Sequence, residues 1–199
     1  LSVAARQRLK IVGSVVRSKL VDGASPIAYG YNDGLGIWTD NGPIFNVSNL
    51  FGGRGGRRLG PDDGGTRPTG RGQADDRDVP QGRPEVEVPE EPRVDTWQAV
   101  PVTDEQMRNP INVIPPGQRP RVILRYADAR ELLVSGLAEG GSEIAQHPAV
   151  VDVPLEKGHV VAFSNNPIWR GETKGSYFLV FNTLMNFDRL DAGRKLDAR

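Results

Sequence analysis

Cysteine is absent from the 199 residues. Disulfide bonds, thiolate metal sites and cysteine nucleophiles are excluded with it. Histidine is scarce, with two copies. No apolar run approaches the roughly 18 residues that a membrane-crossing helix needs, so no membrane span is expected. Net charge is missing as well, since 25 basic side chains balance 25 acidic ones. A neutral chain has no long-range field with which to gather nucleic acid or an anionic bilayer. The opening "LSVAARQRLK" has no apolar stretch of the kind found in a secretory signal. It also lacks an initiating Met, so a fragment or a processed form is expected.

What is present divides into three regions. Residues 1–50 alternate short apolar runs with turn residues. Gly13 to Val21 ("GSVVRSKLV") places Val15, Arg17 and Lys19 on one side and Val16, Ser18 and Leu20 on the other, the pattern of a half-buried strand. Short extended pieces are expected at Ile27 to Tyr31, Leu35 to Trp38 and Ile44 to Val47, divided by Asn-Asp-Gly and Asp-Asn-Gly turns. Residues 51–95 read as a flexible Gly/Arg/Asp/Pro-rich linker or insertion. Between Gly52 and Asp76 only Leu59 and Ala74 are apolar, too little surface to offset the entropy of ordering.

Residues 96–199 hold the main α/β portion. Val102 to Asn109 reads as one or two helical turns, Arg121 to Tyr126 as a strand, and Glu131 to Leu137 as a strand or a short helix. Ala149 to Pro154 and Gly158 to Ser164 read as strands joined by "LEKG". Ser176 is placed to cap a C-terminal helix through "YFLVFNTLMNFDRL". There Tyr177, Val180, Phe181, Leu184 and Phe187 fall at helical spacing and predict tight packing against a sheet. The first 50 residues are expected to join that sheet, because neither piece alone buries a full core.

The run "FGGRGGRRLG" (Phe51 to Gly60) has the composition of an RNA-binding tract. Such tracts work by arginine stacking and phosphate neutralisation. Between Phe51 and Asp78, however, six arginines face five aspartates, a local charge of +1, and Phe51 is the sole aromatic. A solvated connector is the expectation, and no nucleic-acid partner.

The search for chemistry is short. Neither His147 nor His159 has a Glu three residues on, and no His-Glu-x-x-His occurs. A zinc site would have to recruit both histidines and a carboxylate such as Asp152 by folding. The plainer reading makes His147 a surface residue and His159 a strand-end residue. No Gly-x-Ser-x-Gly elbow and no phosphate-binding glycine loop is present. Glu90 and Glu91 lie between prolines as solvated linker carboxylates. One cluster stands out: Asn165, Asn166, Trp169, Arg170 and Lys174 lie between a strand end and a helix start, where α/β proteins bind ligands. Arg170 would contact a carboxylate or sugar, with Trp169 as its platform. Alternatively Trp169 anchors the loop and Arg170 pairs with a nearby acid.

The stretch Arg121 to Leu190 resembles the C-terminal region of bacterial secreted proteins of the zinc carboxypeptidase (carboxypeptidase A-like) family. The strand "GHVVAFS", the loop "NPIWRGETKG" and the helix "FLVFNTLMN" carry the likeness, and "GSVVRSKLVDGASPIAYGY" is similar to an earlier part of the same appended domain. The resemblance implies an incomplete flavodoxin-like sheet of the class I glutamine-amidotransferase-like kind, with a packed C-terminal helix and a long Gly/Arg/Pro-rich loop or linker. It implies a secreted or periplasmic protein whose peptidase domain, on the same polypeptide, is this chain's partner. Zinc would sit only in that linked domain, so no cofactor is expected here. The family's zinc ligands and the amidotransferase cysteine have no counterpart in this sequence. The implied role is therefore a non-catalytic accessory domain that supports the peptidase or positions its substrate. The rival readings are a free-standing small-molecule, peptide or glycan-binding module using Trp169 and Arg170, and an RNA-binding protein acting through the Gly-Arg tract.

Overall fold

Strand β3 (Ser14–Leu20) organises the computed structural model, which describes residues 1–48 and 113–194. The Gly-Arg tract, the rest of the 51–95 linker and the helical turns foreseen over Val102 to Asn109 lie outside the described residues. On one side β3 pairs with β4 (Gly36–Thr39), and on the other with β6 (Arg121–Tyr126) and β7 (Leu133–Ser135). Beyond β6 follow β9 (Pro148–Leu155) and β10 (Gly158–Phe163). Two small pairs complete the strands: β1 (Ser2–Ala4) with β5 (Ile44–Asn46), and β2 (Lys10–Ile11) with β8 (Ala138–Glu139). The N-terminal residues thus share the sheet of the C-terminal ones.

The class is mixed α/β, with a sheet curled into a half-barrel and, among the described residues, one α-helix, α1 (Tyr177–Met185). Every ladder between these strands is antiparallel. A flavodoxin-like sheet is parallel and needs a crossover of a dozen or more residues between neighbouring strands. Here β9 turns directly into β10, with Leu155 opposite Gly158 and Glu156 at φ 54°, so the hairpin leaves no room for a crossover.

Alternation explains the strands. In β3, Ser14, Val16 and Ser18 are buried while Arg17 is exposed, as the period of two requires. Val16, Ile37, Ile123, Leu124, Val150 and Leu179 form the centre of the main core. A smaller cluster of Phe45, Val47 and Val151 lies beside Val122, Val153 and Ala162. β6 and β7 behave as one strand interrupted by residues 127–132. Arg17 bridges the gap, donating to Leu132 O (2.7 Å) and accepting from Ala127 N (3.0 Å). The extruded turn sits by Lys19, whose Nζ reaches Asp128 (3.3 Å) and Glu131 (3.1 Å).

Gly34 shows how tightly the chain wraps β3. A Cβ at this position would lie 1.7 Å from Ser18 O, a backbone atom that cannot move without breaking the ladder. Gly34→Ala is expected to cost about 1–3 kcal/mol by overpacking, measured by urea denaturation against the parent chain.

Two local expectations are corrected. Pro26–Ala28 forms a 3-10 turn, where an extended piece was expected over Ile27 to Tyr31. Ser25 is its cap, its Oγ accepting from Ile27 N (3.3 Å), and Pro26 supplies a preset φ at the start. The helix after Ser176 ends at Met185, and Ser176 caps it with no side-chain bond; its one hydroxyl proton is shared instead between Pro167 O and Thr173 O.

Candidate functional site

The loop from Ser164 to Ser176 leaves the end of β10 and enters α1. Its backbone is tied to β4, since Asn166 N donates to Trp38 O (3.2 Å). Gly42 lies against the same place; a Cβ there would be 1.7 Å from Ser164 O. Inside the loop, Asn166 Oδ1 accepts from Ile168 N (3.3 Å), an Asx turn that starts the bend at Pro167. Tyr177 Oη accepts from Gly171 N (3.0 Å), and Tyr31 donates to Gly175 O.

The five residues singled out in the sequence come together only in part. Trp169 stacks on Trp38 with centroids 4.7 Å apart and planes 13° off parallel. The Arg170 guanidinium lies over the Trp169 ring at 4.9 Å, a cation–π contact. Arg170 holds this place with φ 42°, a left-handed conformation uncommon for a side-chain-bearing residue, with Gly171 following at φ 78°. The ring of Trp169 is thus already engaged, and a stacking sugar would have to displace Trp38 or the guanidinium. Asn165 is buried, and neither its Oδ1 nor its Nδ2 has a hydrogen-bond partner. Lys174 is exposed at the start of the 3-10 turn before α1.

Beneath the loop, Tyr126 Oη and Ser164 Oγ lie 2.6 Å apart. Burial pushes the Tyr126 phenol above its ordinary value, against smaller lowering effects of the hydrogen bonds with Ser164 and Thr39 and the charge of Arg6. The folded form therefore resists ionisation more than the unfolded chain, in which tyrosine ionises near pH 10. The stability this brings is complete below about pH 10 and is lost as pH rises beyond it. Tyr31 is raised in the same direction, mainly by burial. Urea titrations on both sides of pH 10 should show Tyr126→Phe flattening part of this alkaline loss, after costing about 1 kcal/mol at neutral pH for the hydrogen bond.

The more densely bonded polar groups lie elsewhere, and of them the sequence pointed only to Asp152 and the two histidines. Asp152, fully buried in β9, faces His159 Nδ1 (2.7 Å) and accepts from Arg194 (3.1 Å). Arg194 also pairs with Asp191 (3.1 Å), which stands 3.5 Å from His159 Nε2. The four side chains close a ring that ties the segment after α1 to the sheet. Next to it Arg121 pairs with Asp22 (2.6 Å) and donates to Leu190 O and Ala192 O. His147 is not a surface residue as expected. It is buried with Nδ1 3.1 Å from Phe45 O, because it closes the turn into β9 inside the sheet. Glu143 is a buried carboxylate accepting from Gln7 N, Arg8 N and Leu9 N at 2.7–3.1 Å. No group of three or more acidic or histidine side chains gathers to hold a metal among the described residues.

No family model, curated protein or solved structure matches the chain. Its own surface must carry the reading.

That surface has one anomaly. Tight packing of α1 through Phe181, Leu184 and Phe187 was expected, yet these three are 48%, 66% and 73% exposed, with Phe178 at 59% and Met185 at 80%. The inward positions are Leu179, which is buried, and the half-buried Tyr177, Val180, Asn182, Thr183 and Asn186. Asn182 donates to Ile27 O (3.1 Å) and Tyr29 O (2.8 Å), so the 3-10 turn at Pro26–Ala28 receives an amide. The helix is apolar on its outer side as well, where a surface helix is ordinarily polar. Phe178 and Phe181 meet edge to face at 6.2 Å, and Tyr177 and Phe181 at 6.4 Å, with no charged residue between Gly175 and Phe187. Among the described residues no helix is long and apolar enough to cross a membrane.

Proposed function

We propose that this chain is a non-catalytic C-terminal accessory domain of a secreted or periplasmic zinc metallocarboxypeptidase-like protein, held against its peptidase domain by the outer face of α1. The observation that carries the reading is the exposed apolar stripe of α1. Five large apolar side chains, Phe178, Phe181, Leu184, Met185 and Phe187, stand in solvent while amides face the core. Exposed apolar patches of this kind mark interaction sites on soluble domains. The resemblance in "GHVVAFS", "NPIWRGETKG" and "FLVFNTLMN" supplies the partner, a peptidase domain on the same polypeptide that holds the zinc. The described strands would then be an antiparallel part of the amidotransferase-like domain, its flavodoxin-like parallel part lying elsewhere in the polypeptide.

The test is the coding sequence upstream of Leu1. A domain with His-x-x-Glu and a later His is the expected result. A start codon immediately before Leu1 would overturn the reading and leave a free-standing binding module in its place.

A further inference from the structure

Arg121 lines a cleft of about 440 Å³ together with Val21, Pro116, Pro120, Val122 and Arg194. We infer that this cleft binds an extended peptide segment, with a main-chain or C-terminal oxygen of the ligand accepting from Arg121 Nη2. The guanidinium is held on its other nitrogens: Nε donates to Asp22 Oδ2 (2.6 Å), and Nη1 to Leu190 O (3.2 Å) and Ala192 O (2.8 Å). Nη2 alone has no acceptor, although Arg121 is 6% exposed. Buried donors are nearly always satisfied, and one left over in an otherwise complete network calls for an oxygen from outside it. The side chain is already fixed, so an incoming oxygen gains a bond without the cost of ordering a long arginine.

The walls decide the class of ligand. Val21, Pro116, Pro120 and Val122 are their apolar part, set among Asp22, Arg119, Arg121 and Arg194. Arg119 and Arg194 also line the cleft, but Arg194 already faces Asp152 and Asp191, and Arg121 already faces Asp22. Little unbalanced positive charge remains to draw in a doubly charged phosphate. A slot in which apolar side chains alternate with paired charged groups, and in which one donor is left unmatched, suits the alternating carbonyls and small side chains of an extended peptide. The inference does not depend on the proposed peptidase partner, since it uses neither α1 nor its outer face.

The test uses the full chain labelled with nitrogen-15 and three probes: N-acetyl-Pro-Val-Ala with a free carboxylate, the same peptide as its C-terminal amide, and inorganic phosphate. Backbone signals of Val21 to Ala24 and Arg119 to Val122 should shift with a peptide and stay in place with phosphate. Shifts with both peptides identify a main-chain carbonyl as the acceptor; shifts with the free acid alone identify the terminal carboxylate. Arg121→Gln should weaken binding at least tenfold. Because Arg121 also anchors the segment after α1, the exposed Pro116→Asp supplies a second variant, with a similar loss expected on an intact fold. Phosphate shifts without peptide shifts, no shifts at all, or unchanged peptide affinity in Pro116→Asp would overturn the inference.

Discussion

If the proposed peptidase partner docks on α1, replacing Phe178 and Phe181 together by aspartate is expected to weaken that docking about 100-fold, while the chain itself stays folded. The two rings are 59% and 48% exposed, so the isolated domain holds them by little more than their contacts with each other and with Tyr177. Losing those edge-to-face contacts costs the free domain about 1 kcal/mol. In the docked state the same rings leave water. Burying a whole phenylalanine is worth about 1.5–3 kcal/mol, and roughly half of each remains to be buried. Two half-rings lost, with carboxylates brought into an apolar contact, add to roughly 3 kcal/mol, which is about 100-fold in affinity. Calorimetric titration of the chain into the separately produced peptidase domain measures it. Equal affinity of parent and double variant would remove α1 from the interface.

This prediction depends on a feature that the residues alone misrepresent. Helical spacing of Tyr177, Phe181, Leu184 and Phe187 is plain in the sequence, but periodicity gives a stripe and never says which way it faces. Only the amides of Asn182 against Ile27 O and Tyr29 O place the stripe outward. The strands were legible because alternation in β3 and the apolar runs of β6, β9 and β10 are local signals. So was the 3-10 turn, had the Ser25-Pro26 pair been read as a cap followed by a preset φ. The polar networks had no such signal. Asp22 and Arg121 are 99 positions apart, Asp152 and Arg194 are 42 apart, and Glu143 lies 136 from Gln7. Each of these acids sits among ordinary turn or strand neighbours, and only the antiparallel order of the sheet brings it to its partner. The loop cluster shows a mixed case. Trp169 and Arg170 drew attention by composition, yet the residue that engages the ring, Trp38, is 131 positions earlier on β4 and was seen only as part of a strand.

Glu143→Ala is expected to be the most damaging single substitution for stability, at about 3–4 kcal/mol. The carboxylate accepts from Gln7 N (3.0 Å), Arg8 N (2.7 Å) and Leu9 N (3.1 Å), a concave set of consecutive donors closed around an anion. Hydrogen bonds to a charged group are worth about 1.5–3 kcal/mol each, and an orphaned buried donor costs about 1–3 kcal/mol. Leu9 is buried, so its N–H finds no water when the carboxylate is gone, whereas Gln7 and Arg8 lie at exposed positions and recover part of the loss. Glu143→Gln keeps the shape but loses the charge and one acceptor oxygen, and should fall between the two at about 2 kcal/mol. The damage should also be local before it is global. β2 follows the three donors and, among the described residues, pairs only with β8, which directly precedes the turn bearing Glu143. Gly140, at φ 70°, already brings that turn within 2.7 Å of Arg8 O at its missing Cβ, so the two segments have no slack with which to re-form the contact. Amide exchange should therefore rise first at Lys10 and Ile11 in Glu143→Gln, with β6 and β9 protected. A loss under 1 kcal/mol in Glu143→Ala by urea denaturation would mean that the β2–β8 pair, and not the carboxylate, fixes the N-terminal residues to the core.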